Sequence, residues 1–600
     1  MSGLFSTMNV AVRGMTAQQM AIDVTSHNIA NANTDGYSRQ RTLMETTTPF
    51  GMPSMNNAVG PGQLGTGVQV SSITRIRDTY LDYQVRAENG TMGLYQGREK
   101  FLTEVQSIFN EVSETGVSNM LSEVFKSWSA LSTSPESSNT RTVVAQKSKA
   151  LTDQLNSTYN QLSKLKINCQ DVIQKDVTDI NGMLDQINDL NQQVISVKVG
   201  GNEPNDLMDK RDLLVDQLSS KFGITIDKKA LAGEDLKATD NVGGADPTKD
   251  LYFVKSDPTK DVSRFSYVST IVPSKGSIQK PGETGSYDVT YYKNGDTSTD
   301  ANKVTMTMQL SDMEYTSLDQ GRVLWADKEG YAIDASSNRI NGIDSNSKAI
   351  PQSGTKTNTD ATWGNIKRFE PKTGEINGYQ SVQTDIDTYI NDLNNMAKAI
   401  AYSVNAVHSG NQADTAGELK FFVNSTTAGK EEEITAGNIA VNGEIIKDVM
   451  LIKVGKGDTP LPTDGSRALA ISKLRDVKLN IQSIGAKTTR AMLLSGDTFS
   501  QDTTLGVKMV NATSDGMTII GDFTNITNRL ADKTQYAKNT VINNTKLLAG
   551  LEESRTSISG VSLDEEMANL VQIQHAYAAN AKIISTVDEL LDLIVNGLKK

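Results

Sequence analysis

The sequence predicts an α+β multidomain chain with discontinuous, nested domains. Three observations carry this. Both ends are written as amphipathic helices, a long helical tract follows the first of them, and the middle holds β-branched and aromatic runs divided by turn residues. Helix, then strand, then helix implies nesting. The termini, 1–60 with 560–600, are expected to pair as a coiled coil. Residues 61–222 with 376–559 are expected to form a mainly helical, bundle-like rod domain with a small mixed segment near 410–500. Residues 223–375 are expected to be a β-rich outer insertion.

The first helix spans about 4–30. Leu4, Met8, Ala11, Met15, Gln18, Ile22, Thr25 and Ile29 alternate spacings of four and three, the spacing of a seam that packs against another helix. Leu4, Met8, Ala11, Met15, Ile22 and Ile29 are its apolar members and a candidate assembly interface. The last helix repeats the pattern with Leu563, Met567, Leu570, Tyr577, Ala581, Ile584, Leu591, Val595 and Leu598, a second candidate interface. The polar positions Gln18, Thr25, Gln574 and Asp588 are expected to set register. Residues 1–60 hold only six charged side chains, and Lys582 is the only one from Met567 to Val587. An exposed helix normally has a charged outer face. Faces of Gln, Asn, Ser, Thr and Ala suit helices touched on several sides.

Between the ends, Asn31 to Tyr37 closes the first helix in a glycine-containing turn. Residues 48–67 read as an extended loop and Val68 to Ile76 as a strand. Asp78 to Glu111 and about 117–131 read as helices, the second with Trp128 on its core face. The tract 139–198 keeps helical spacing through Leu151, Leu155, Leu162, Leu165, Cys169, Ile173, Val177, Ile180, Leu184 and Ile187. Unbroken, it makes a rod about 90 Å long, with Gly182 a candidate kink. Gly200 to Pro204 stops it, and Asn205 or Asp206 is expected to cap the next helix. Strands follow at Leu251–Lys255, Ser263–Val272, Ser286–Lys293 and Val304–Leu310. Asn294-Gly295 is a hairpin-turn dipeptide, and Asp-Pro-Thr-Lys-Asp, at 246–250 and 257–261, reads twice as a turn. Helical spacing returns at 380–407 and from about 522 to the end, with a break around 555–563.

The formal net charge of −12 and the absence of a basic cluster exclude a nucleic-acid binder. No run of eighteen apolar residues is present, so no membrane span is expected. The first thirty residues lack the features of a secretory signal, which points to the cytoplasm or to an exit route without signal cleavage. One cysteine allows no internal disulfide. The histidines His27, His408 and His575 have no metal-ligand partner at helical spacing. Gly60-Pro-Gly-Gln-Leu-Gly65 follows no strand, and Pro61 removes an amide, so it is not a dinucleotide loop. The stretch from Val177 to Asn188 fails as a calcium loop at its first and last ligand positions. Asp209, Arg211 and Asp212 read as a helix-surface ion network. No catalytic cluster, metal site or cofactor site emerges, so the chain does not read as an enzyme.

Asn28-Ile-Ala-Asn31-Ala-Asn33-Thr34-Asp35-Gly36-Tyr37 resembles the N-terminal signature of the bacterial flagellar axial family of rod, hook and hook-associated proteins. Within it, Asn31, Asn33, Thr34, Gly36, Tyr37, Ser38, Arg39 and Gln40 form the motif, and Ser38-Arg39-Gln40 is similar to its hook-associated version. Asn205 to Leu214, Asn405 to His408 with Gly417 to Phe422, and Glu566 to Glu589 resemble further segments in order. The resemblance implies a structural subunit, polymerised through its paired terminal helices at the junction of hook and filament. It implies a self-polymer, the hook protein, a second junction protein and a cytosolic export chaperone on the C-terminal helix as partners. It also implies an extracellular, flagellar location reached through type III export. A hook or rod subunit, or an adhesin function of the β-rich insertion, are the alternatives.

Overall fold

The computed structural model describes residues 2–47, 65–109, 116–241, 250–277, 279–343, 349–352, 357–415, 417–427, 431–457 and 461–597. Most of the expected loop at 48–67 and the first Asp-Pro-Thr-Lys-Asp copy up to residue 249 lie outside them. The chain clusters into two compact units. The first is Met1–Leu94, Gln174–Asn377 and Ile542–Lys600, and the second is Tyr95–Ile173 and Gly378–Val541. These boundaries differ from the expected 60, 222, 376 and 560. The physical reason is a set of buried polar ties, detailed below, that joins both terminal segments to 205–216 in the first unit.

The helices run close to the expected spans: α1 (Ser2–Ala30), α2 (Thr79–Phe109), α3 (Val117–Thr133), α4 (Ser138–Val199) and α5 (Asn205–Lys221). Helix α4 passes through Gly182 as one 62-residue helix, so the candidate kink does not break it. Pro204, not Asn205 or Asp206, stands at the N-cap of α5 and gives no side-chain bond. Asn205 instead donates from Nδ2 to the Ile73 carbonyl at 2.8 Å and to Gln40 Oε1 at 3.2 Å.

In the first unit, strand β1 (Gln40–Thr46), which the periodicity missed, pairs antiparallel with β2 (Val68–Arg75) and packs with it on α1. Beyond α5, β3 (Ile224–Lys228), β4 (Glu234–Ala238) and β5 (Tyr252–Val254) form a three-stranded sheet. Strands β6 (Ser263–Pro273), β7 (Gly285–Tyr292), β8 (Lys303–Leu310) and β9 (Val323–Asp327) form an antiparallel sheet in the order β8-β7-β6-β9. Helix α6 (Asp312–Gly321), capped by a Ser311–Glu314 box, also escaped the sequence reading. The sheet's core joins Phe222, Phe253, Phe265, Trp325 and Phe369, with Phe253 stacked on Trp325 at 5.1 Å.

Asn294-Gly295 does not close a two-residue hairpin, because residues 293–302 separate β7 from β8. Both residues keep positive φ (55° and 74°). The turn docks on the C-terminal half of α4 instead: Gln174 and Asn181 donate to its carbonyls at 2.6 and 3.2 Å. Asn181 also bonds both backbone groups of Phe265, so the failed calcium-loop residue is an anchor for β6.

In the second unit, α3 packs Trp128 against Phe421. Helix α7 (Glu375–Ser409) contributes Ile386, Leu393, Met396 and Ile400 to the core. The mixed segment carries α8 (Gly443–Lys447), α9 (Ser466–Lys473) and α10 (Arg490–Leu493). Helices α11 (Ile519–Ser559) and α12 (Leu563–Gly597) end the chain, parted at Gly560–Ser562 as expected. Among the described residues no helix is long and apolar enough to cross a membrane.

Candidate functional site: the terminal helix pair and its clasp

Helices α1 and α12 pack on each other, as their seams require. The faces are turned by about one position from those expected. The buried line of α1 is Ala11, Gly14, Ala17, Ala21, Thr25 and Asn28, while Leu4, Met8, Met15, Ile22 and Ile29 flank it, half-buried. On α12, Glu566 and Val587 are buried, and Leu570, Tyr577, Ala581, Ile584 and Leu591 are half-buried. The candidate interface residues Leu563, Met567 and Val595 are exposed, as are the register candidates Gln574 and Asp588. Leu598 lies outside the described residues. Small residues explain the turn. Alanine and glycine score weakly in a hydrophobic pattern but permit the closest backbone approach. Phe5, Met20, Val571 and Leu593 are also exposed, so the pair keeps apolar surface on its outer faces.

The turn after α1 is locally determined. Asn31 Nδ2 donates to the His27 carbonyl at 3.0 Å, and Thr34 Oγ1 donates to Asn31 Oδ1 at 3.2 Å. Gly36 has φ +76°, a backbone angle that favours glycine, and a Cβ there would press on Leu213 Cβ at 3.1 Å. Asn33 is exposed. Tyr37 Oη donates to Asn28 Oδ1 at 2.8 Å and takes a bond from His27 Nδ1 at 3.0 Å. Burial, then the carboxylates of Asp206, Asp209 and Glu566, push the Tyr37 phenol well above its ordinary range.

Asn28, which opens the family signature but is not one of its motif residues, is the hub. Its Nδ2 donates to the Gln40 carbonyl at 2.9 Å and to Glu566 Oε2 at 3.0 Å, while its Oδ1 accepts from the Gln40 amide at 3.0 Å and from Tyr37. All four hydrogen-bonding positions of the amide are filled in a site 1 % exposed. Arg39 Nε meets Glu566 Oε1 at 2.7 Å, and the Arg39 amide donates to the Ser559 carbonyl at 2.8 Å. On the other side of the stretch, Ser38 donates to Asp209 from its amide (2.9 Å) and its hydroxyl (2.8 Å). Gln40 Nε2 donates to Asp206 Oδ1 at 2.8 Å.

Asp209, Arg211 and Asp212 are buried, which corrects the helix-surface reading. Arg75 bridges Asp209 (2.8 Å) and Asp212 (2.6 Å), Arg86 binds Asp216 (2.6 Å), Arg77 binds Asp82 (2.7 Å), and Arg555 reaches Asp216 at 2.7 Å. Arg211 turns away to Glu234 at 3.1 Å and the Ala232 carbonyl at 2.9 Å. Burial alone raises the Asp212 carboxyl, but Arg77, Arg75, Arg86 and Arg211 together outweigh it and hold it down to about 2. The signal was present in part: Asp209, Asp212 and Asp216 share one helix face, and Arg75 and Arg77 stand two residues apart where β2 ends. Their being partners was not readable.

No second site competes among the described residues. Asp414, Glu418 and Glu431 bring carboxylate oxygens within 4.8 Å of one another. Arg490, itself buried, bonds Glu418 and lies 3.2 Å from Glu431, so the cluster already has its cation. Of the histidines, His27 is half-exposed, His575 is exposed and His408 is buried. Cys169 is buried, donates to the Tyr379 carbonyl at 3.4 Å, and has its thiol pushed up by burial.

Comparison with known proteins adds three family likenesses. Residues 102–240 match the flagellar hook-associated protein FlgK helical domain, 8–37 the flagella basal body rod protein model, and 553–597 the flagellar basal body rod FlgEFG protein C-terminal model. The chain is 29% identical to flagellar hook-associated protein 1 of Bacillus subtilis, covering 100% of this chain and 99% of that one. It is 24% identical to flagellar hook-associated protein 1 of Salmonella typhimurium, covering 98% and 99%. A likeness to the basal-body rod protein FlgC of Borreliella burgdorferi, at 41% identity, covers only 12% of this chain and 53% of that one. The solved flagellar hook junction protein FlgK of Burkholderia pseudomallei aligns with TM-score 0.48 at 11% identity, over 80% of this chain and all of that one.

Proposed function

This chain belongs to the flagellar axial proteins, within them to the hook-associated protein 1 family, and from that premise we propose that it polymerises through the outer faces of its paired terminal helices. Its function is structural, as a component of the bacterial flagellum at the hook–filament junction. Axial proteins of this kind polymerise and associate with hook and rod components.

The observation that carries the proposal is the apolar surface left on α1 and α12 after they have packed on each other. Phe5, Met20, Val571, Leu593 and Val595 remain exposed on helices with few charges. Apolar patches of this kind mark protein contacts. In this reading the seam residues flanking the α1–α12 line, among them Leu4, Met15 and Ile22 with Leu563, Met567 and Val595, meet neighbouring copies. One end of the polymer meets hook protein and the other the second junction protein. Before export a cytosolic chaperone covers the C-terminal helix, and the chain leaves through the type III apparatus without signal cleavage. The chain has no catalytic role.

Electron microscopy of cells lacking this chain, with an immunoblot of the medium for flagellin, tests the place in the flagellum. Intact hooks without filaments and flagellin lost to the medium are expected. Missing hooks would move the chain into the rod or hook, and normal filaments would remove it from the junction.

A further inference from the structure

Ser38, Arg39 and Gln40 alternate direction as an extended chain does. Ser38 and Gln40 point to α5, bonding Asp209, Asp206 and Asn205. Arg39 points to the first turn of α12, where it meets Glu566 at 2.7 Å and Glu565 at 3.3 Å. Glu566 is 3 % exposed, and its other oxygen accepts from Asn28 of α1. Three helices therefore converge on three consecutive residues through hydrogen bonds and ion pairs.

We propose that Ser38–Gln40 is a two-faced bracket that couples the docking of α12 to the docking of α5, with Asn28 and Glu566 as its positioning residues. The inference rests on the polymerisation reading, which it deepens: a neighbour that moves α12 also acts on α5. The physical basis is that a buried carboxylate tolerates neither side being withdrawn. If α12 leaves, Asn28 and Arg39 lose their acceptor, the extended stretch loses its hold, and Ser38 and Gln40 lose register with Asp209 and Asp206. If α5 leaves, Asp209 and Asp212 lose Ser38 and Arg75, and the same stretch is freed from the other side. The central feature is coupling through polar groups, which sets the phase of the terminal pair independently of how sticky its outer faces are.

The test uses the full-length protein, amide hydrogen exchange, and complementation of cells lacking the chain. Glu566→Leu is expected to speed exchange at least tenfold in both α12 and α5. Glu566→Gln, which keeps an acceptor for Asn28, is expected to speed it less. Faster exchange in α12 with α5 unchanged, as a merely local packing role would give, overturns the bracket. So does a parent protein whose α12 shows no protection. Val571→Asp, on the exposed face, reports on polymerisation separately. Unchanged exchange with loss of filaments supports that reading, and normal filaments would sink it whatever Glu566→Leu does.

Discussion

The side-chain amide of Asn580 stands 2.9 Å from where a Cβ on Gly14 would be, so the Asn580 amide occupies the space that the missing side chain leaves. Asn580 is held there by its own bond from Nδ2 to the Ala576 carbonyl at 3.1 Å. Gly14→Ala adds helix propensity but forces the amide aside. Overpacking of this kind costs about 1–3 kcal/mol, against a propensity gain of about 1 kcal/mol, so Gly14→Leu weakens the pair clearly and Gly14→Ala slightly. Adding Asn580→Ala to Gly14→Ala recovers the loss if the clash is its source. Exchange protection across α12 measures both.

Ile22→Asp and Ile584→Asp put a charge beside the α1–α12 line. Polymerisation is expected to fail while the β6–β9 sheet stays folded, because its aromatic core shares no residue with the terminal pair. Sedimentation reads the first and near-ultraviolet circular dichroism the second. Polymers of normal length would show that these positions carry no assembly contact.

His408 makes the second unit acid-sensitive. Burial, then Arg467 and Lys453, hold the imidazole neutral with a pKa down to about 3. Its Nε2 accepts from the Lys453 amide at 3.1 Å, and its Nδ1 faces the Leu419 carbonyl at 3.2 Å. The unfolded chain takes up the proton near 6.5 and the folded one does not, so the histidine's contribution is complete above pH 6.5 and is lost as pH falls toward 3. Between pH 6.5 and 5 the parent is expected to lose about 2 kcal/mol relative to His408→Gln. Denaturant titrations at the two pH values give the difference, and parallel curves would contradict it.

Arg490→Met leaves Glu418 and Glu431 without their cation. Removing one partner of a buried pair costs about 3–5 kcal/mol. Burial already pushes the Glu431 carboxyl up to about 7, with Arg490 pulling the other way. Glu431→Gln added to Arg490→Met is therefore expected to restore part of the loss. Chemical denaturation of the four proteins completes the cycle.

Helix content and order were legible because long periodic tracts such as 139–198 override local noise; α4 differs from that span by one residue at each end. The strands β6, β7 and β8 were legible from β-branched runs. Strand β1 was not, since Gln40-Arg-Thr-Leu-Met-Glu-Thr holds little that marks a strand until β2 pairs with it. The clasp was half legible. Its residues stood out by resemblance, but the reason for them did not, because Asn28 and Glu566 are 538 positions apart and no spacing rule spans that distance. The buried line between α1 and α12 runs about one position from the seam pattern, since periodicity weighs large apolar groups and the buried positions of α1 include Ala11, Gly14, Ala17 and Ala21.

The first unit draws on the start, the middle and the end of the chain. No N-terminal fragment, however long, contains all of it until the last helix has been made. Loop closure over more than five hundred residues comes before the rewarding contacts, so this unit is the slow step of folding and the second unit can be complete while it waits. Timing is thus written into the chain's order: a molecule still being synthesised, or still passing end-first through a narrow conduit, lacks the partner that would lock it.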